Sequence, residues 1–403
     1  MEKIIIYIEK LKTIMRNVFC IFIFSFLFVL NVAAEQPKGE IPIIAWHGIP
    51  AEKSEEIFPL MKEAGIQIYL GKYNDISTTL KILDIAQKTG VKLITSCPEL
   101  NTDVEATVKQ LMKHPALYGY YLKDEPEVSD LPDLGVWVKK VQSIDNEHPC
   151  YINLYPNWAW GKEQYATHVA SFIEQVPVPF ISFDHYPVAL IDSIPVLRPE
   201  WYRNLEEISA AARKAKLPFW AFALSSSHYL GPPSPPAFYP VPTLGELRLQ
   251  QFSNLAYGAQ ALQYFTFSGA VDKNGKTSVY DLLKTVNKEI QNLASIFLDA
   301  TVLSVWHTGD QIPESTQRLE KMPAPQVKAL STDGTGAVVS LIEKGNNQFL
   351  VIVNRDYKNT TGLNVSFDKS VKQVLKDGKK VSVRKTCNQI EPGDMVIYTW
   401  SKR

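Results

Sequence analysis

The sequence predicts an α/β protein, a closed (β/α)8 TIM barrel followed by a small all-β sandwich. Short apolar runs recur at 41–46, 66–70, 91–95, 117–122, 151–154, 180–183, 219–224 and 262–267. Amphipathic stretches such as 54–64, 78–89 and 104–114 lie between them, as in a parallel sheet covered by helices. After Leu298 the helical spacing stops. Short runs at 337–342, 349–353, 363–367, 380–383 and 395–399 take over, separated by turn pairs such as Asp333-Gly334, Asp377-Gly378 and Pro392-Gly393.

The chain begins with a targeting pattern. Residues 18–30 read VFCIFIFSFLFVL, and Asn31-Val32-Ala33-Ala34 follow. The apolar run is shorter than the ~20 residues a membrane span needs, so 1–34 is expected to be a signal peptide cut after Ala34, not a retained anchor. Met15-Arg16-Asn17 is a more usual start than Met1. Cys20 lies inside the run, where it is badly placed for lipid attachment. The remaining chain is expected to be exported, to the periplasm, the cell surface or the medium.

Eight strand–helix units between 35 and 300 fit a barrel of about 250 residues. Gly65 and Gly90 stand where helix C-caps belong, just ahead of the second and third strands. An open doubly wound sheet would carry a glycine-rich loop after its first strand. Here that strand runs into Trp46-His47-Gly48-Ile49-Pro50. Residues 301–403 are assigned to the sandwich. The piece Gly231-Pro232-Pro233-Ser234-Pro235-Pro236 reads as a stiff exposed loop.

Composition excludes several classes. The 403 residues hold 42 basic and 42 acidic side chains, so there is no basic surplus for nucleic acid. The 4 cysteines, one of them inside the signal, do not form a disulfide framework. No Cys-x-x-Cys or His-x-x-x-His pair supports a zinc site. No cofactor and no metal is expected, and the oligomeric state is left open.

A barrel of this kind presents its working residues at the C-terminal ends of its strands. Those ends carry Trp46 and His47, then Lys72, Tyr73, Asn74 and Asp75, then Cys97 and Glu99. Next come Asp124, Glu125 and Glu127, followed by Asn153, Tyr155, Asn157, Trp158 and Trp160. The last three ends give Asp184, His185 and Tyr186, then Ser225 to Tyr229, then Thr266 and Ser268. Carboxylates, amides and aromatics dominate, and Lys72 and Lys123 are the only cations. Phosphorylated substrates call for more positive charge. Sugars stack their CH faces on Trp and Tyr rings, and paired acids cleave glycosidic bonds. The expected partner is therefore an oligosaccharide or polysaccharide. Glu125, Asp124 and Asp184 are the catalytic candidates. Trp46, His47, Tyr73, Asn153, Tyr155, Trp158, Trp160, His185, Tyr186 and His228 are the binding candidates.

Three segments resemble the (β/α)8-barrel glycoside hydrolases over residues 41–300: GYYLKDEP at strand four, SFDHYP at strand six, and LRLQQFSNLAYGAQALQYFTFS leading into strand eight. A C-terminal sandwich is a common companion of such barrels. The resemblance implies an acid/base Glu after strand four, matched by Glu125. The large retaining clan usually has Asn before that Glu and a nucleophilic Glu after strand seven. Here Asp124 precedes Glu125, and strand seven ends Leu224-Ser225-Ser226-Ser227 without an acid.

Two chemistries are compatible with that gap. The Asp-Glu-Pro motif resembles substrate-assisted β-N-acetylhexosaminidases. That resemblance implies that Asp124 holds a 2-acetamido group whose carbonyl oxygen attacks the anomeric carbon, with Tyr186 donating to the developing oxazoline. Alternatively, Asp184 acts as nucleophile or base opposite Glu125. A non-catalytic glycan-binding protein on a degenerate barrel is the competing expectation. A metal-dependent hydrolase or a lyase is the third, and it requires convergent His or Asp ligands. Successive strand residues face opposite ways, so Asp124 and Glu125 are expected to share a site only if the strand has ended by Asp124.

One prediction concerns processing. N-terminal sequencing of exported protein is expected to begin near Glu35. Recovery of residues 1–30 in the membrane fraction contradicts it.

Overall fold

The computed structural model describes residues 39–229, 238–383 and 389–402. The expected signal at 1–34, the proline-rich stretch 231–236 and Cys387 fall outside the described residues. Among the described residues, no helix is long and apolar enough to cross a membrane.

Eight parallel strands close into a barrel. They are β1 (Ile43–Ala45), β2 (Ile68–Lys72), β3 (Lys92–Ser96), β4 (Leu117–Asp124), β5 (Cys150–Leu154), β6 (Ile181–Phe183), β7 (Phe219–Leu224) and β8 (Ala261–Phe265). The seam pairs β1 with β8, Ile43 opposite Leu262 and Ala45 opposite Tyr264. The strands read as continuous apolar runs because both of their faces are buried. Tyr69 and Leu93 join the layer under the helices, while Ile44, Ile68 and Ile94 face the barrel interior.

Aromatic rings fill that interior. Phe180 and Trp220 stack with centroids 3.6 Å apart, and Trp46 packs edge-on to Phe222 at 5.4 Å and to Tyr121 at 5.5 Å. Most TIM-barrel interiors are filled by branched aliphatics. Here rings do that work up to the mouth of the barrel.

Two irregularities shape β4. Its register slips against β3 between Leu93 and Ile94, and against β5 between Tyr121 and Lys123. Tyr118 and Tyr121 both belong to the interior cluster, three residues apart instead of two. The second slip brings Asp124, three residues further on, into register with Asn153. A bulge adds a residue and turns the following side chain to the other face.

The segments between strands are mostly helices, several of them with side-chain caps. Asp75 accepts from Thr78 N at 2.7 Å and caps the helix Ile76–Thr89, and Glu99 accepts from Ile76 N at 3.2 Å. These two acids start a helix. Gly90 closes the same helix with φ 73. After β6 the chain makes a hairpin, Val188–Ile191 with Ile194–Leu197. It pairs with Phe238–Tyr239, which in turn pairs with His228–Tyr229. This four-stranded sheet was not anticipated.

From Thr301 the chain forms two antiparallel sheets. Six strands take the order Thr301–His307, Ala337–Lys344, Asn347–Asn354, Met395–Ser401, Lys372–Val374, Lys380–Ser382. Three more, Val327–Thr332, Thr361–Phe367 and Gln389–Ile390, make the second sheet. The central strands bury both faces. Val339, Leu350 and Ile352 pack toward the three-stranded sheet with Leu330 and Leu363. Val338, Val351 and Val353 belong instead to the same apolar cluster as the barrel helices.

The join between barrel and sheets is close and partly charged. Gly393 has φ 62, and a Cβ there would stand 1.9 Å from the Gly245 carbonyl oxygen at the start of the helix Leu244–Tyr257. Any side chain at Gly393 would push this helix off the sheet. Arg248 pairs with Glu289 at 2.6 Å, and Lys376 pairs with Asp394 at 2.6 Å and Glu289 at 3.1 Å.

This shared core generates a prediction. A chain ending at Ala300 uncovers the apolar helix face that Val338 and Val351 bury, and it is expected to aggregate or melt well below the full-length protein. An unchanged melting temperature and a monodisperse elution profile contradict it.

Candidate active site

Three strand ends converge on one hydrogen-bonded unit. Asp124 ends β4, Asn153 lies in β5 and Asp184 follows β6. Register places Asp124 beside Asn153, and Asn153 beside Ser182. Asn153 Nδ2 donates to Asp184 Oδ1 at 2.8 Å and, more weakly, to Asp124 Oδ1 at 3.4 Å. Its Oδ1 accepts from Ser182 Oγ at 2.9 Å.

The chain of contacts continues down the barrel. Gln263 Nε2 donates to Ser182 Oγ at 2.9 Å, and Tyr151 donates to Gln263 Oε1 at 2.6 Å. All of these groups are buried. A buried amide, hydroxyl or phenol left without a partner costs about 1–3 kcal/mol, so the chain fixes how Asn153 is turned.

Glu125 reaches the site by a backbone turn. Its N–H donates to Asn153 O at 2.8 Å, so the pairing with β5 continues, but its φ is 46. The left-handed region costs a residue with a side chain about 1–2 kcal/mol. Such a conformation persists where its surroundings hold it, and it concentrates at functional sites. The condition that the strand must have ended by Asp124 for the two acids to share a site does not hold. The strand runs through Asp124, and the bulge and the left-handed turn bring both acids to one cavity.

That cavity has a volume of about 340 Å³. Asp124, Glu125, Asp184, Trp46, Asn153, Tyr155, Trp158, His185, Tyr186 and His228 line it, and all of them were singled out in the sequence. Three expected binding residues lie elsewhere. Trp160 is half-buried with its ring stacked on His168, centroids 4.5 Å apart. Tyr73 is buried against Gly71 and lines a neighbouring hollow. His47 stands beside Trp46, 5.5 Å between rings, outside the cavity lining.

Phe222, Phe265 and Tyr239 also line the cavity and went unnamed from the sequence. Strand parity signals the first two, since Phe222 shares the inner face with Trp220 and Phe265 that of Gln263. Tyr239 has no local signal. It arrives by antiparallel pairing with His228. The end of β7 gives no acid. Ser225 and Ser226 donate to the carbonyls of Thr266 and Phe265 at 2.8 Å and 2.9 Å.

Electrostatics follow from crowding carboxyls in a concave, ring-walled space. Glu125 is pushed up to about 8 by burial first, then by Asp184, Asp124 and Glu127. Asp184 is raised by burial and by Asp124, against the pull of Asn153 and Tyr186. Asp124 is raised by burial, opposed by Asn153 and the Lys72 charge. Asp124 keeps open surface toward the cleft. Within a cleft a carboxylate touches some water and still loses much of its bulk solvation. Mutually facing carboxyls titrate as a set and retain protons near neutrality.

His185 is locked as one tautomer. Asn204 Oδ1 accepts from the Asn157 N–H at 2.9 Å, and His185 Nδ1 lies 3.0 Å from the same oxygen. An acceptor there requires Nδ1 to carry the proton, which leaves Nε2 as a lone pair with no protein partner. Burial and the Arg198 charge hold the ring well below its usual pKa, so it stays neutral. Among the described residues, no group of three or more His, Cys, Asp or Glu side chains is placed to hold a metal ion.

No family model matches the sequence, and no curated protein matches it. Solved structures with similar topology include an endoglucanase from Pseudomonas stutzeri, 12% identical, TM-score 0.42, covering 58% of this chain and 83% of that one. The catalytic domain of a β-amylase from Paenibacillus polymyxa is 8% identical, TM-score 0.43, covering 61% and 97%. An α-fucosidase from Thermotoga maritima is 8% identical, TM-score 0.43, covering 86% and 78%. At these values the likeness is one of fold. The strand pairing itself establishes the (β/α)8 barrel.

The raised carboxyl gives a stability prediction. Glu125 titrates higher in the folded chain than the ~4.3 of an unfolded one, so folding favours its protonated form. Its contribution is fully present below about pH 4 and is lost as pH rises toward about 8. Glu125→Gln removes that loss. Its melting temperature is expected to exceed wild type by on the order of 2 °C at pH 8, with no gain at pH 4. Equal gains at both pH values contradict the assignment.

Proposed function

We propose that this protein is a glycoside hydrolase with Glu125 as general acid and base. The observation that carries the proposal is the placement of Glu125. It is held in a left-handed turn at the end of β4, raised toward neutral pH, and faces Asp184 and Asp124 in an aromatic-walled cavity. Protonated Glu125 gives its proton to the glycosidic oxygen as the C–O bond breaks. Positive charge then builds at the anomeric carbon opposite the aspartates. Water adds to that carbon, and its proton returns to Glu125.

The second carboxyl group is what sets the mechanism. Asp184 has the shorter bond from Asn153 and Tyr186 beside it, which suits a fixed nucleophile or base. Asp124 keeps Lys72 nearby, which favours its ionised form and suits polarising a 2-acetamido N–H. The bare end of β7 keeps a glycan-binding role in view, because the usual nucleophile position is empty. Against that role, a binder gains nothing from confining three carboxyl groups whose mutual repulsion costs stability. Within the proposal, the barrel carries the chemistry, the C-terminal sheets stabilise it, and the protein acts after export.

Glu125→Gln is expected to cut turnover of substrates with poor leaving groups by about 10²–10⁴-fold. Activated aryl glycosides need less protonation and should suffer less. Assays on a panel of aryl glycosides with and without a 2-acetamido group separate the partners. Asp124→Asn slows the acetamido sugars most under substrate assistance. Asp184→Asn is the more damaging change if Asp184 is the nucleophile, and azide then restores turnover. Full activity of Glu125→Gln on every cleaved substrate overturns the site. A wild type that binds glycans through Trp158 but cleaves none establishes the binding role.

A further inference from the structure

The four-stranded sheet beyond β6 lines part of the cavity, and Asp124 lines both the cavity and a second hollow. That sheet forms one wall. His228 and Tyr239 are register partners within it, and their rings stack at 4.9 Å. Tyr186 packs edge-on to both, at 6.1 Å and 5.6 Å. Arg198 ties the wall to the loop after β5. It donates to the Tyr239 hydroxyl at 2.8 Å, holds its guanidinium 4.8 Å from the Trp158 ring, and pairs with Glu200 at 2.6 Å. A cation held by a carboxylate, a phenol and an indole face is a firm clasp.

Across Asp124 the surface opens. Asp124 also lines a second hollow of about 480 Å³, formed by the ends of β2, β3 and β4 with Asn101 and Trp137 from neighbouring helices. Lys72 lies in it with Nζ 4.6 Å from the Tyr121 ring, and its charge acts on Asp124. Two buried phenols of this hollow, Tyr73 and Tyr121, have hydroxyls without a protein partner. The walled cavity, at about 340 Å³, falls near the bottom of the ~300–1,000 Å³ range of small-molecule sites.

We propose that the enzyme works from a chain end. The terminal sugar fills the walled cavity, and the rest of the glycan leaves over Asp124 into the hollow of Lys72, Tyr121, Asn101 and Trp137. The hollow is thus a binding site for the leaving chain, with Lys72 donating to its hydroxyls. This inference rests on the glycoside hydrolase proposal and adds the mode of attack.

The test uses full-length protein and a tetrasaccharide of the sugar whose aryl glycoside the wild type cleaves, labelled at its reducing end with 2-aminobenzamide. The first products are expected to be free monosaccharide and labelled trisaccharide. Early disaccharide from an internal cut overturns the proposal. Lys72→Met, at an exposed position, is expected to lower the ratio of kcat/KM on the tetrasaccharide to that on the methyl glycoside. Loss of one charged hydrogen bond corresponds to about tenfold in that ratio. A ratio equal to wild type, in protein with a wild-type melting curve, removes the hollow from the binding path. Internal cleavage by an active enzyme leaves the hydrolase proposal standing, whereas a wild type that cleaves nothing defeats both.

Discussion

One side-chain amide, that of Asn153, organises the mouth of this barrel. It spends both of its N–H bonds on Asp184 and Asp124, and its carbonyl is held by Ser182. Ser182 is in turn held by Gln263, and Gln263 by Tyr151, in the centre of the barrel. Each group is buried and needs its partner, so the orientation of the two aspartates is set by groups far below them. A partly satisfied network of this kind would cost more than an apolar core. The barrel therefore carries a polar thread through an otherwise apolar, ring-rich interior, and the thread ends at the carboxyls.

The arrangement works against stability. Glu125 occupies a left-handed backbone conformation, and burial beside two aspartates works against its ionised form. Neither feature helps the fold. Both are tolerated because the surrounding structure is extensively braced. A continuous apolar cluster reaches from the barrel helices into the six-stranded sheet, and a four-charge network of Arg248, Glu289, Lys376 and Asp394 spans the same join. The sheets pack on the helix Leu244–Tyr257, which is bonded to β7 through Gln250, accepting from Leu224 N, and Asn254, donating to Phe222 O.

Much of the site was legible because strand ends are legible. In a barrel of this type, a residue at or just beyond the end of an apolar run stands at the mouth, so Trp46, Asp124 and Asp184, and Asn153 one residue before its run ends, could be named from their positions. Side-chain direction was harder to read. Trp158 and Trp160 are two residues apart in the same loop, yet Trp158 meets Arg198 at the cavity wall and Trp160 stacks on His168. The partners that separate them lie on other elements, and no local pattern encodes them. Asp75 and Glu99 likewise looked like rim acids and turned out to start a helix.

The sequence by itself determined the alternation of strand and helix, the change to antiparallel sheet after the barrel, and the acidic, aromatic character of the strand ends. Those properties are local, written in hydrophobic period, caps and turn residues. Tertiary structure decided the rest. The slip of β4 against β5 depends on what β5 offers as a partner, and it is this slip that aligns Asp124 with Asn153. Tyr239 and Arg198 close the cavity only because a hairpin after β6 pairs with a segment some forty residues later in the chain. Pairing between distant segments is settled by the summed packing of the whole chain, so no stretch of sequence announces it.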